Sequence, residues 1–364
     1  MRFHFSLILL LYKGEIQSLP PFLPHCLNKN KNKMGSFLSS SRATSLPSST
    51  KAASTEIPAQ DQWFEEQLEV DLKWSFQLNR VLHETTSEYQ DIVLLDSKPF
   101  GKVLVLDGKL QSAEKDEFIY HECLVHPALL LHPNPKSVFI MGGGEGSTAR
   151  EVLKHNGIQK VVMCDIDKVV VDFCRMHLTA NQEAFSNEKL HVVFNDAKNE
   201  LEKRNEKYDI IIGDLADPIE GGPCNHLYTK SFYEQVIKTK LNHSGIFVTQ
   251  AGTAGVLSHK VVFSSIHNTV KQVFKHVVAF TAHIPSYADS CGWVLASDEK
   301  LNMDVEQINE KIRERVRGEL EYLDGASIVS STVLNKAILT SIENETHVFT
   351  EEDARVLHGH GIFH

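Results

Sequence analysis

The chain has 364 residues, 42% of them hydrophobic and 23% charged, enough for one large or two modest domains with a self-sufficient core. Its 37 basic against 47 acidic side chains give a formal charge of −10 and no Lys/Arg block. That excludes the electrostatic footprint of a nucleic-acid binder, disfavours an anionic membrane surface, and favours cationic small molecules as partners.

The first 60 residues read as a disordered extension. Arg2 and the apolar run 5–12 resemble a signal-peptide core but lack a small-residue cleavage site, and the run is far short of a membrane span. Asn/Lys-rich and Ser/Thr/Pro-rich stretches follow, too polar to bury a core. Met34-Gly35-Ser36 matches a myristoylation pattern if translation begins at Met34.

Residues 61–117 are expected to form a small antiparallel β domain, with strands at 91–95, 102–106 and 110–113. Asp107-Gly108 between the last two is a strong hairpin signal. Residues 118–364 are expected to form a Rossmann-like α/β domain with C-terminal helices. Apolar runs at 137–141, 160–164, 190–195, 208–213 and 245–250 alternate with helical stretches, the pattern of a parallel sheet covered on both faces. Runs 277–284 and 292–297 stand too close for a crossover helix, so the sheet should end in an antiparallel hairpin. By analogy this is the layout of adenosylmethionine-type transferases rather than nicotinamide dehydrogenases. Spacing predicts a helix beyond Asp304, with Asp304 and Gln307 as a capping box, and another over 331–342.

Chemistry concentrates after the first core strand. In Met141-Gly142-Gly143-Gly144-Glu145-Gly146-Ser147 the glycines admit close approach of a ligand, but Ser147 occupies the third glycine of a dinucleotide fingerprint and Glu145 repels a pyrophosphate. Asp165 after the second strand suits ribose hydroxyls, and Asp196, with Ala197 beside it, suits an adenine amino group. Asp214 and Asp217 follow the fourth strand. Acids thus mark the carboxyl ends of four strands, where open α/β sheets bind ligands. Helix capping is the alternative role for each such Asp. Glu145 disfavours the carboxylate of intact adenosylmethionine and suits the decarboxylated donor, whose charges are all positive.

These residues, with Tyr89-Gln90-Asp91-Ile92, the run 103–108 and Asp116-Glu117-Phe118, resemble the polyamine aminopropyltransferase (spermidine synthase) family over about residues 63–300. Glu145 stands where Asp is common in that family, His121 where Gln is common, and Leu215-Ala216 where Ser-Ser is common. With Glu220-Gly221-Gly222-Pro223-Cys224, this form is similar to the plant thermospermine synthase branch. The resemblance implies that Gln90, Gly142, Gly144, Glu145, Asp165, Asp196 and Ala197 hold decarboxylated adenosylmethionine. It implies that Asp214 takes the proton of the attacking amine, and that Tyr120, His121, Asp217 and Tyr287 line the polyamine channel. It also implies spermidine as acceptor, a homodimer or homotetramer, no metal, and no cofactor beyond the donor co-substrate.

Three other features carry less. The six cysteines (Cys26, Cys123, Cys164, Cys174, Cys224 and Cys291) form no C-x-x-C pair and suit a cytoplasmic chain with reduced thiols, so the sequons at Asn242 and Asn344 carry no meaning. His121 and His126 are one residue too far apart for a zinc-protease helix and face different sides, and His358-Gly359-His360 is a terminus rather than a site. A methyltransferase on the same fold and a catalytically silent polyamine-binding protein are the rival readings.

Overall fold

The computed structural model describes residues 62–69, 71–218 and 222–353, all within one compact unit. The readings of the first 60 residues, Cys26, Glu220-Gly221 and the terminal histidines lie outside the described residues.

Five strands form an antiparallel meander in chain order: β1 (Trp63–Glu69), β2 (Leu72–Thr86), β3 (Asp91–Ser97), β4 (Gly101–Leu106) and β5 (Lys109–Ala113). The β4–β5 turn has positive φ at both Asp107 (48°) and Gly108 (74°), as a two-residue turn matched to strand twist requires. Alternation along β3 and β4 sends Ile92, Leu94 and Leu104 against helix α3 (Lys168–His177), while Leu95, Val103 and Val105 pack with Phe76 on the other face. Both β1 and the 15-residue β2 went unseen in the sequence, because their mixed polar residues blur the alternation.

The second sheet has seven strands in the order β11-β12-β10-β9-β6-β7-β8. These are β6 (Ser137–Gly142), β7 (Lys160–Asp165), β8 (Leu190–Phe194), β9 (Tyr208–Asp214), β10 (Leu241–Thr253), β11 (His276–Ile284) and β12 (Asp289–Ser297). The first five run parallel, and β12 pairs antiparallel with both β10 and β11, so the expected terminal hairpin forms. Both faces carry apolar clusters, with Val138, Ile140 and Ile212 on one side and Phe139, Ile211 and Phe247 on the other.

Helix α1 (Glu117–Leu131) is buried nearly all round, consistent with its apolar circumference. Its Glu122 is fully buried and accepts three main-chain N–H groups, from Glu321 (2.7 Å), Tyr322 (3.0 Å) and Leu323 (3.0 Å). Those bonds replace water for the charge and pin the C-terminal segment. The helix Val305–Arg315 begins at Asp304, which accepts from Gln307 N, but the Gln307 amide oxygen accepts from Asn302 and only half of the capping box forms. The helix expected over 331–342 starts later, as Lys336–Asn344, because Asn335 caps it by accepting from Ile338 N, and a separate helix, Gly325–Ser331, precedes it. Among the described residues no helix is long and apolar enough to cross a membrane.

Candidate active site

Strand order reverses between β6 and β9, which pair directly with Gly142 opposite Asp214. Open α/β sheets bind ligands at this point. Gly142 has φ 75°, and a Cβ there would lie 2.2 Å from the Asp214 carbonyl oxygen; one on Gly144 would lie 2.6 Å from Asp165 Oδ2. The glycines therefore let the loop close against two acids, and Gly143 N–H donates to the Asp214 carbonyl at 3.0 Å.

Both oxygens of the Asp214 carboxylate accept hydroxyls. Tyr120 Oη on α1 donates to Oδ1 at 2.9 Å, and Thr148 Oγ1 on helix α2 (Ser147–Leu153) donates to Oδ2 at 2.6 Å. Each oxygen keeps a second lone pair for an incoming proton. Burial, with Asp214 alongside, pushes the Tyr120 phenol well above its usual range and keeps it a donor. The Leu215–Asp217 segment is held from below: Gln250 Nε2 donates to the Leu215 carbonyl at 2.7 Å, and Tyr228 Oη to the Ala216 carbonyl at 3.0 Å.

Beside Asp214 lies a run of charges. The buried His121 places Nδ1 2.7 Å from Glu117 Oε2 and Nε2 3.4 Å from Glu145 Oε1, and Glu117 receives Arg150 Nη2 at 2.8 and 2.9 Å. Burial opposes the charge on His121, yet Glu145 and Glu117 outweigh it and raise the imidazole to about 9. Burial likewise pushes Glu145 upward, against the pull of His121. Glu145 is thus no bare acid. Its charge already has a cationic partner, so the selectivity against a donor carboxylate expected from Glu145 alone is smaller than for an unpaired acid. Glu117, His121 and Glu145 offer ligand atoms within 4.8 Å of one another, the donor set of a metal site. Those atoms are already engaged here, Glu117 accepting from Arg150 and Glu145 from Ser147.

Of the expected donor-binding residues, Asp165 and Asp196 end or follow strands of the large sheet at the edge of the glycine loop, and Gln90 comes from the small sheet. Asp165 ends β7, its Oδ1 accepting from Asp167 N at 2.8 Å, and burial raises its carboxyl to about 6. Gln90 does not reach out alone: its Nε2 donates to Asp167 Oδ2 at 3.0 Å, and Asp167 caps α3. Asp196 follows β8 and takes the capping role that was the alternative for it, accepting from Asn199 N at 2.8 Å, while its Oδ2 lies 2.8 Å from His226 Nε2. Ala197 opens the helix that it caps.

On the acceptor side, Tyr287 sits in the turn between β11 and β12, its ring centroid 6.3 Å from that of Tyr120. Its hydroxyl donates to the Gln111 carbonyl. Asp217 is half-buried beside Gln250 and Gly252, and burial raises its carboxyl. Sequence reasoning missed Thr148, Gln250 and Tyr228, whose roles depend on long-range contacts. It also missed Glu66 of β1, whose carboxylate accepts from Leu110 N at 3.0 Å, across the curl of the small sheet. Clefts of about 480 and 620 Å³ at the opposite, amino-end edge contain none of these residues.

Residues 117–307 match the spermine/spermidine synthase domain, and residues 62–114 the spermidine synthase tetramerisation domain. The chain belongs to the spermine/spermidine synthase family. Among family members it is 66% identical to thermospermine synthase ACAULIS5 of Arabidopsis thaliana over 300 residues, covering 82% of this chain and 88% of that one. It is 43% identical to a polyamine aminopropyltransferase of Sulfurisphaera tokodaii over 76% of this chain and 91% of that one. The crystal structure of spermidine synthase from Thermotoga maritima superposes with a TM-score of 0.72 at 29% identity, over 79% of this chain and 96% of that one. A spermidine synthase in complex with the transition-state analogue AdoDATO gives 0.70 at 28% identity, over 78% and 96%. The chain is therefore an aminopropyltransferase with the spermidine synthase fold.

Proposed function

We propose that this chain transfers the aminopropyl group of decarboxylated adenosylmethionine to the aminopropyl end of spermidine, giving thermospermine and methylthioadenosine. The observation that carries the chemistry is the Asp214 carboxylate, presented at the switch point between Tyr120 and Thr148. The product is favoured by the 66% identity to a thermospermine synthase.

The reaction is a displacement at the carbon bonded to sulfonium. A neutral amine of spermidine forms the new C–N bond, the C–S bond breaks, and its electron pair leaves on a neutral thioether. No general acid is needed. The proton on the alkylated nitrogen passes to Asp214 and then to solvent. A primary amine has an aqueous pKa near ~10, so Asp214 contributes most by taking the proton as the bond forms. Alignment of nitrogen, carbon and sulfur supplies the larger share of the rate. Asp217 receives a neighbouring ammonium, Tyr120 and Tyr287 give the methylenes an aromatic wall, and Gln90, Glu145, Asp165, Asp196 and Ala197 hold the donor. The donor is consumed at each turnover, and no cofactor or metal is assigned.

A tetramer is the assembly we infer, from the match of residues 62–114 to a tetramerisation domain. The cytoplasm is the compartment that suits five described cysteines that are all free thiols, four of them buried.

Purified protein given decarboxylated adenosylmethionine with putrescine or spermidine, followed by a separation that resolves spermine from thermospermine, tests the reading. Thermospermine from spermidine is expected. Spermine as main product overturns the choice of the aminopropyl end, spermidine from putrescine overturns the acceptor, and methyl transfer from intact adenosylmethionine overturns the reaction.

A further inference from the structure

Arg150 lies on α2, and the donor- and polyamine-binding residues assigned above do not include it. Its guanidinium nevertheless reaches Glu145 along two separate arms. On one, Nη1 donates to Asn181 Oδ1 at 2.8 Å, and the buried Asn181 passes the contact on, its Nδ2 donating to the Glu145 main-chain carbonyl at 2.8 Å and to Ser147 Oγ at 2.9 Å. On the other, Nη2 grips both oxygens of Glu117 at 2.8 and 2.9 Å, Glu117 holds His121 Nδ1 at 2.7 Å, and His121 Nε2 stands 3.4 Å from the Glu145 carboxylate. Arg150 Nε is bound to Glu151 at 2.9 Å, and Glu151 in turn to the buried His126 at 3.0 Å, so the guanidinium is anchored on its third side.

We propose that Arg150 is a positioning residue that clamps Glu145 by main chain and side chain together, so that the glycine loop presents one carboxylate geometry to the cationic aminopropyl arm of the donor. This rests on the donor site assigned above. Only a guanidinium offers donors in a fixed fork with the reach to serve three partners; a lysine supplies one point charge. The groups facing His121 are Glu117 on its own helix, Glu145 on the loop, Asp214 on β9 and, through Glu117, Arg150 on α2. The arms are therefore separable. Glu117→Gln cuts the side-chain arm and removes a charge beside His121, while Asn181→Ala cuts the main-chain arm and leaves those charges in place.

The test combines steady-state kinetics at varied decarboxylated adenosylmethionine with an NMR titration of the His121 imidazole, for wild type, Arg150→Lys, Glu117→Gln and Asn181→Ala, each checked for a cooperative melt. The expected result is a donor KM raised about tenfold in each variant, the scale of one hydrogen bond to a charged group, with the spermidine KM within twofold of wild type in Arg150→Lys and Asn181→Ala, which leave the charges beside His121 in place. The His121 titration should fall by at least ~1 pH unit in Glu117→Gln and stay in place in Asn181→Ala, a split that general loosening of the fold does not produce. Wild-type donor KM in Asn181→Ala overturns the main-chain arm, and an unmoved His121 titration in Glu117→Gln overturns the side-chain arm. If Arg150→Lys fails to fold, the other two variants decide. A wild-type protein without aminopropyl transfer overturns the functional reading instead, while the titration still reports on the clamp.

Discussion

Tyr120 Oη lies 2.9 Å from Asp214 Oδ1, joining helix α1 to the end of strand β9 across 94 residues of sequence. The phenol fixes one oxygen of the carboxylate as Thr148 fixes the other, so the carboxylate proposed as proton acceptor has a set orientation. A general base contributes at least ~10²-fold, so Asp214→Asn is expected to lower kcat by that much or more with the melting temperature little changed. Steady-state kinetics beside a thermal melt check it, and near-wild-type turnover would refute the role of Asp214.

Tyr120→Phe keeps the ring and removes the bond to Oδ1. A hydrogen bond to a charged group is worth roughly 1.5–3 kcal/mol, so kcat should fall about tenfold or somewhat more, while the spermidine KM moves less because the aromatic wall remains. A larger rise in KM than fall in kcat would place the hydroxyl on the substrate instead.

His121 gives a pH dependence of stability. Its folded-state value of about 9 lies above the ordinary 6.5, so the protonated ring favours the folded state. That contribution is complete below about pH 6.5 and is lost as pH rises through about 9. The melting temperature of wild type should therefore decline between pH 7 and 9.5 more steeply than that of His121→Gln. Parallel curves would count against a protonated His121.

Glu122 is held by three main-chain N–H groups, and Glu122→Gln turns one acceptor oxygen into a donor facing those N–H groups. The expected cost is about 3 kcal/mol, from leaving buried donors unpaired. A chemical denaturation series reads it, and a loss under ~1 kcal/mol would show that the amide oxygen satisfies those donors about as well as the carboxylate.

Gly144→Ala should raise the donor KM, because its Cβ would fall 2.6 Å from Asp165 Oδ2 and push that acid away from the ribose hydroxyls it is assigned. The spermidine KM is the internal control, and an unchanged donor KM would remove Asp165 from the donor site.

Much of this was legible in the sequence for a local reason. A parallel strand buried on both faces must be apolar throughout, so the core strands stand out; a turn with positive φ calls for Asp107-Gly108; a loop pressed against acids needs Gly142 and Gly144. Those constraints act on neighbours in the chain, as do the acids at strand ends. Side-chain partnership does not. Asp196 and Asp165 look alike after their strands, yet one caps a helix and faces His226 while the other packs half-buried against the glycine loop. Glu145 reads as a bare acid until α1 brings His121 beside it, and nothing in the sequence singles out Arg150, on which Glu117, Glu151 and Asn181 converge. The core strands of the large sheet, the turn and the acidic edge follow from the sequence itself, because each is set by backbone geometry and periodicity. The charge state and aim of each acid were decided only by tertiary structure, because electrostatic energy depends on distance and burial, and residues far apart in sequence set both.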